Sequence, residues 1–123
     1  MLLAVLELVL DKPEDWSDDW KEGYIFSVRG ELVPIVFDVA GYLTGGWIEK
    51  GDDEVLYFEK THISVVHFAL ITPEVWEEIK DKVYVGMEMN AHAGARIIGK
   101  AILLEYEYYE SYDIVDGKVV VKR

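Results

Sequence analysis

The chain has 123 residues, of which 51% are hydrophobic and 13% aromatic, which is the size and composition of one globular domain with a packed core. It contains 24 Asp and Glu residues against 12 Lys and Arg, which gives a formal net charge of −12 at pH 7. A surface this acidic repels nucleic-acid phosphates and anionic lipids, so we expect neither nucleic acid nor a membrane as a partner.

The first half of the chain has the hydrophobic pattern of short β-strands. Leu2–Leu10 is an apolar run of strand length that lacks a basic flank and carries Glu7, so we do not interpret it as a signal peptide. Residues 13–23 form a predicted acidic loop. Further strands are predicted at 24–29, 32–40, a glycine-rich segment through Trp47 and Ile48, 55–59 and 61–71. Pro34 cannot donate a hydrogen bond within a sheet, so it predicts a strand edge or a bulge.

The second half adds one helix and further strands. A short helix is predicted at 73–82, because Thr72 is suited to cap its N-terminus and Trp76 and Ile79 fall on one face. Strands follow at 83–90 and 95–108, and a hairpin pairs 112–115 with 118–121 around Asp116-Gly117, a strong turn signal.

This pattern predicts an all-β fold. About nine short strands with a single helix are typical of a closed barrel or a sandwich. We expect one domain over residues 1–123, with the barrel at 1–104 and a C-terminal extension at 105–123.

The content of cysteine and amide residues limits the chemistry expected of the protein and indicates the environment in which it works. Cysteine is absent, which excludes disulfides, thiolate catalysis and cysteine metal sites. Glutamine is also absent and Asn90 is the only asparagine, a depletion typical of proteins from hot environments. We predict a cytoplasmic protein of a thermophile.

Histidines do not form a predicted metal site. His62 and His67 lie five positions apart on one predicted strand, so they face opposite sides of the sheet. His92 is expected in a loop at 90–94. Since zinc needs three or four converging ligands, we expect neither a metal nor another cofactor.

Two carboxylates interrupt apolar strands and are candidate functional acids. Asp38 and Glu7 could act as buried acids of a small hydrolase or carbohydrate-binding protein, with Trp47 and Trp76 as a platform for a sugar. Outward-facing positions on half-exposed strands explain both acids more simply. None of the four serines lies in a Gly-x-Ser-x-Gly motif, and the sequence has no P-loop, so we assign no catalytic residue.

One string resembles a known family. Residues 93–103 read Ala-Gly-Ala-Arg-Ile-Ile-Gly-Lys-Ala-Ile-Leu and are similar to the closing strand of the C-terminal barrel domain of the elongation factor Tu family. Further counterparts occur in the same order at Leu2–Leu10, Gly23-Tyr24, Asp38-Val39-Ala40-Gly41 and Leu70-Ile71-Thr72-Pro73. The resemblance covers residues 1–104 and implies a small six-stranded Greek-key barrel that stands alone, without the GTPase domain.

Several positions depart from the pattern of that family. The family has a charged pair, which helps to form its transfer-RNA face, where this chain has His92 and Ala93. Ala95 and Ala101 replace family glycines, and residues 105–123 lie beyond the end of the family domain. The resemblance therefore supports the fold of the family better than it supports the transfer-RNA partner of the family.

The same string allows a structural and a functional interpretation. Gly94 and Gly99 are expected where a barrel strand begins and bends, since glycine permits close backbone approach. Arg96 is expected to tie the turn to a loop carboxylate through a bidentate contact. Alternatively, Arg96 and the nearby His92 contact a ligand.

Tyrosines of the extension are the other candidate binding residues. Tyr106 and Tyr108 are expected on one face of a strand, with Tyr109 on the other. Tyrosine is enriched at protein interfaces, but these rings could equally cover the end of the barrel's own core. Our first hypothesis is a non-catalytic interaction module that binds a protein partner, or a second copy of itself, through 105–123. The hydrolase or carbohydrate-binding protein is the alternative.

Overall fold

The protein is described by a computed structural model that covers residues 1–12, 23–25, 32–49, 55–110, 112–116 and 118–121. The strands are β1 (Leu2–Leu10), β2 (Gly23–Ile25), β3 (Leu32–Val39), β4 (Tyr42–Glu49), β5 (Val55–Tyr57), β6 (Thr61–Phe68), β7 (Glu88–Ala93), β8 (Arg96–Tyr108), β9 (Tyr112–Val115) and β10 (Lys118–Val121). Helix α1 (Pro73–Ile79) continues into a 3-10 turn at Lys80–Lys82.

Six of the described strands form a closed barrel. They are antiparallel throughout and run in the order β1-β6-β4-β3-β7-β8, with β8 closing onto β1. Among the barrel strands, β3, β4 and β6 follow one another in the chain and pair in that order, and β7 returns to pair beside β3, which is the Greek-key arrangement. The predicted all-β barrel with one short helix is confirmed. Two smaller sheets pair β2 with β5 and β9 with β10.

Alternating buried residues fill the barrel, most regularly in β1. In β1 every second residue, from Leu2 to Leu10, is buried, while the residues between them are half-buried on the outer face. Phe37 of β3 and Phe68 of β6 meet edge to face across the interior, with ring centroids 5.6 Å apart. The apolar run that predicted β1 therefore supplies one wall of the core.

Helix α1 covers one end of the barrel. Thr72 caps the helix, since its Oγ1 accepts a hydrogen bond from the backbone N–H of Val75 at 3.4 Å. The indole of Trp76 stacks on the ring of Tyr108 with centroids 5.0 Å apart and planes within 3°, and lies 6.1 Å from that of Tyr106. The phenol groups of Tyr108 and Tyr106 donate hydrogen bonds to the carbonyl oxygens of Ile71 (3.0 Å) and Val83 (3.2 Å). Both rings thus bind the helix segment of their own chain.

One strand prediction is wrong in its boundaries. The strand expected at 83–90 begins only at Glu88, because Tyr84 and Met87 form a turn closed by a hydrogen bond between them (3.2 Å). Gly86 in this turn has a φ of +95°, a conformation that favours glycine and ends an extended run. Strand β7 then continues to Ala93, so His92 lies on a strand and not in the predicted loop.

The ends of other predicted elements shift by a few residues. Strand β6 ends at Phe68. Strand β8 ends at Tyr108, as predicted, and pairs with β1 from Gly99 to Tyr108, so the barrel extends past the predicted boundary at residue 104. Most of the loop predicted at 13–23 and most of the strand predicted at 24–29 lie outside the described residues. Within the described part, no helix is long and apolar enough to cross a membrane.

Candidate functional site

An apolar groove lies on the outer face of β4, β3 and β7. Its volume is about 290 Å³, and its lining includes Pro34, Val36, Gly45, Trp47, Leu70 and His92. We call it the Trp47 groove. Val36, Trp47 and Leu70 are 38%, 39% and 62% exposed. A contiguous exposed apolar surface of this kind marks an interaction site more often than scattered apolar residues do.

The register of three strands creates the groove. Trp47 of β4 lies opposite Pro34 of β3, and Gly45 lies opposite Val36, which in turn lies opposite His92 of β7. Gly45 leaves the floor open, since a Cβ atom on it would meet nothing within 4 Å. Pro34 stands beyond the part of β3 that pairs with β7, which fits the strand-edge position predicted from its missing N–H.

A polar cluster borders one end of the groove. Asp38 accepts two hydrogen bonds from Asn90, one from the backbone N–H at 2.7 Å and one from Nδ2 at 3.1 Å. The Nε2 atom of His92 lies 3.7 Å from Oδ2 of Asp38, which is too long for a hydrogen bond. This buried Nε2 has no hydrogen-bond partner among the described residues. The cluster therefore holds a fixed carboxylate beside an imidazole with unused bonding capacity.

A second carboxylate and imidazole lie beside Trp47 on the other side. His67 of β6 is opposite Trp47 and is fully buried, and its Nε2 lies 2.8 Å from Oε1 of Glu49. Glu49 is two residues beyond Trp47 on β4 and its side chain is 20% exposed. In the register of β3 with β4, Asp38 lies two residues beyond Val36 and Glu49 two residues beyond Trp47 in the opposite direction along the pair, so acidic groups flank the two ends of the groove.

His62 faces the opposite side of β6, as predicted. It is buried, its Nε2 accepts a hydrogen bond from the backbone N–H of Tyr57 at 3.0 Å, and its ring stacks on that of Tyr57. His62 and His67 therefore have separate local partners. Within the described ranges, no group of three or more His, Asp or Glu side chains is placed to hold a metal ion.

The two candidate acids are not brought together. Glu7 on β1 and Asp38 on β3 both lie between buried neighbours, so both face outward. Three strand spacings separate β1 from β3 in either direction around the barrel, which puts the two acids on opposite sides. The carboxyl groups of a glycosidase lie within about 10 Å of each other, an arrangement that this pair cannot adopt.

The two tryptophans are also separated. Trp47 lines the groove, whereas Trp76 packs on the tyrosines under helix α1. The platform that we expected from both tryptophans therefore does not form, and Trp47 is the one of the two that a ligand in the groove would meet.

The 93–103 string covers the turn between β7 and β8 and the first part of β8. Gly94 lines the groove and has a φ of +62°, a left-handed conformation that glycine adopts without strain. Arg96 is exposed at the start of β8, opposite Ala93. Gly99 lies deeper in β8, against the backbone of β1.

The predicted binding residues are spread over separate places. His92 borders the Trp47 groove, Tyr106 and Tyr108 lie under the helix, and Tyr109 donates a hydrogen bond from its hydroxyl to Glu107 at 2.7 Å. The sequence reasoning missed Val36, Gly45 and Leu70. Adjacent glycines at 45 and 46 were the one available signal, since in a strand one of them must face outward and leave a gap.

Comparisons of the sequence with protein-family models and with curated proteins gave no match. The resemblance to the elongation factor Tu family therefore depends on the sequence motifs alone.

Proposed function

We propose that this barrel is a non-catalytic interaction module, similar in role to a translation-factor barrel domain, and that its Trp47 groove binds an apolar segment of a protein in the cytoplasm. The observation that supports this is the exposed apolar surface around Gly45 and Trp47. An aromatic side chain at the centre of such a groove is a typical anchor for a protein partner.

The lining of the groove favours binding over catalysis. Of the described residues that line it, His92 alone has a titratable side chain, and the others are apolar residues or glycine. A nucleophilic mechanism needs a hydroxyl, thiol, amine or carboxylate aligned with a base. The lining residues supply the imidazole without such a group, so shape and apolar contact are what the groove offers.

The negative charge around the groove indicates which kind of partner segment binds there. Asp38 and Glu49 lie at the two ends of the groove, and the protein as a whole carries a net charge of −12. Basic residues on either side of an apolar centre would therefore be attracted to the groove and would speed association. The preferred partner is a short segment with apolar residues between basic ones.

Fluorescence anisotropy with labelled peptides tests this proposal. We expect peptides with an apolar centre and lysine flanks to bind, and the same peptides with glutamate flanks to bind at least tenfold more weakly. The Gly45→Phe variant should abolish binding, since a side chain there enters open space and fills the groove. Ile63→Phe is the matched control, because Ile63 is 64% exposed on β6 and does not line the groove. Equal binding to both variants would contradict the proposal.

A carbohydrate ligand is the second candidate. It is favoured by the position of Trp47 in the same groove as His92, whose neighbours Asp38 and Asn90 add hydrogen-bonding groups. Sugars stack on aromatic faces and need such polar groups at the rim. Titration with oligosaccharides should then quench tryptophan fluorescence, and Trp47→Ala should remove the response while Trp76→Phe keeps it.

A further inference from the structure

We propose that strand β10 of one copy of this chain docks in the Trp47 groove of a second copy. The inference rests on the proposed function of the groove and names its partner. It makes the C-terminal hairpin, β9 with β10, a docking element and not only an appendage of the barrel.

The hairpin lacks a supporting sheet within the described structure. Strands β9 and β10 pair with each other in a two-stranded sheet separate from the barrel, and each is four residues long. A two-stranded sheet is marginally stable in water unless it packs on something else. Its outer strand edge is a template for association with another chain.

The sequence of the last segment matches the groove in both polarity and charge. Residues 118–123 read Lys-Val-Val-Val-Lys-Arg, three valines between basic residues. This segment has three positive and no negative charges, so the other residues of the chain, with the total at −12, carry −15. An apolar strand with basic flanks is therefore drawn to the acidic body of a second copy, whose groove has Asp38 and Glu49 at its ends.

Among the described strands, β9 and β10 pair with each other and with no strand of their own barrel. Strand β10 is therefore available to a second copy.

Sedimentation velocity on two complementary variants tests the proposal. Gly45→Phe fills the groove and leaves β10 intact. The combined variant Lys118→Glu, Lys122→Glu and Arg123→Glu reverses the charge of the strand and leaves the groove intact. We expect the wild-type chain to self-associate and each variant alone to be monomeric at the same concentration. An equimolar mixture of the two should associate again, because one supplies the groove and the other the strand.

The salt dependence of association and a control substitution at the surface distinguish loss of docking from a folding defect. Wild-type association should weaken at least tenfold as ionic strength approaches about 1 M, where charges are screened beyond about 3 Å. The Ile63→Phe chain should associate like wild type. Monomeric wild-type protein, unchanged association of both variants, or a mixture that stays monomeric would each overturn the inference. If the chain is monomeric but lysine-flanked peptides still bind the groove, the proposed function stands and only its partner is wrong.

Discussion

Gly99 lies so close to β1 that a Cβ atom on it would stand 2.4 Å from the carbonyl oxygen of Val9. The neighbouring atom belongs to the backbone of a central barrel strand, so it cannot move without shifting the pairing of β1 with β8. We expect Gly99→Ala to reduce the free energy of unfolding by about 3 kcal/mol, and Gly99→Val by more. Urea unfolding followed by circular dichroism measures the loss.

Two variants serve as controls for this prediction. Gly45→Ala adds the same methyl group to a strand glycine where it meets nothing within 4 Å, so stability should change by less than about 0.5 kcal/mol. Arg96→Ala, at an exposed position, should also cost far less than Gly99→Ala. A Gly99→Val protein as stable as wild type would remove the argument that this glycine is required for packing.

Hydrophobic periodicity was sufficient to predict an all-β barrel or sandwich, and the resemblance to the elongation factor Tu family favoured the closed barrel. Alternation in Leu2–Leu10 and the turn signal at Asp116-Gly117 are local, and the structure contains strand β1 and the pairing of β9 with β10. The turn between Tyr84 and Met87 was not predictable in the same way, because it lies within an apolar stretch of sequence. Residues 83–87 have strand-like composition, but the positive φ of Gly86 and the turn it closes prevail over propensity.

The groove was not predictable because it is made by register. Val36, Trp47 and His92 come from three strands, and nothing local in the sequence specifies that they are neighbours. A register slip of one residue would turn all of these side chains to the other face. Trp47 and His92 were singled out for reasons of residue type, and the structure supplies their common location.

Removal of the Tyr108 hydroxyl tests how firmly helix α1 is held on the barrel. Its hydroxyl donates a hydrogen bond to the carbonyl oxygen of Ile71, whereas the hydroxyl of Tyr109 bonds to an exposed carboxylate of Glu107. We expect Tyr108→Phe to lower the free energy of unfolding by about 1 kcal/mol, because Ile71 is fully buried. Tyr109→Phe, the same change at an exposed bond, should cost less than about 0.5 kcal/mol. Equal effects in a thermal melt would contradict the role of Tyr108 as the tie between helix and barrel.

The buried imidazole of His67 depends on Glu49 for its hydrogen bond at Nε2, 2.8 Å from the carboxylate. Nδ1 of the same ring is buried and has no partner among the described residues, so loss of the carboxylate leaves both ring nitrogens unpaired. Glu49→Ala should therefore reduce the free energy of unfolding by about 1–3 kcal/mol. Glu49→Gln keeps an acceptor oxygen and should lose clearly less. Chemical denaturation of the two variants distinguishes the contribution of the hydrogen bond from that of side-chain packing. A larger loss of unfolding free energy in Glu49→Gln than in Glu49→Ala would contradict the role of the hydrogen bond.

For transfer RNA as a partner, the family resemblance and the electrostatics of the barrel disagree. Binding a phosphate backbone requires clustered lysine and arginine that release counterions. On the corresponding strand the basic residues are Arg96 and Lys100, both exposed. Two positions beyond Lys100, Ile102 lies opposite Glu7 of β1 on one side and Glu88 of β7 on the other, so acidic groups flank this part of β8.

We therefore expect no measurable binding of transfer RNA at physiological salt. Aromatic stacking on Trp47 could contact single-stranded bases, but such contacts normally work inside a positively charged groove, and Asp38 and Glu49 make this one acidic at both ends. A gel-shift assay with total transfer RNA, repeated at low and at physiological salt, measures this directly. A shift that weakens steeply as salt rises would reveal phosphate contacts and contradict the prediction, and Lys100→Glu would then have to reduce it.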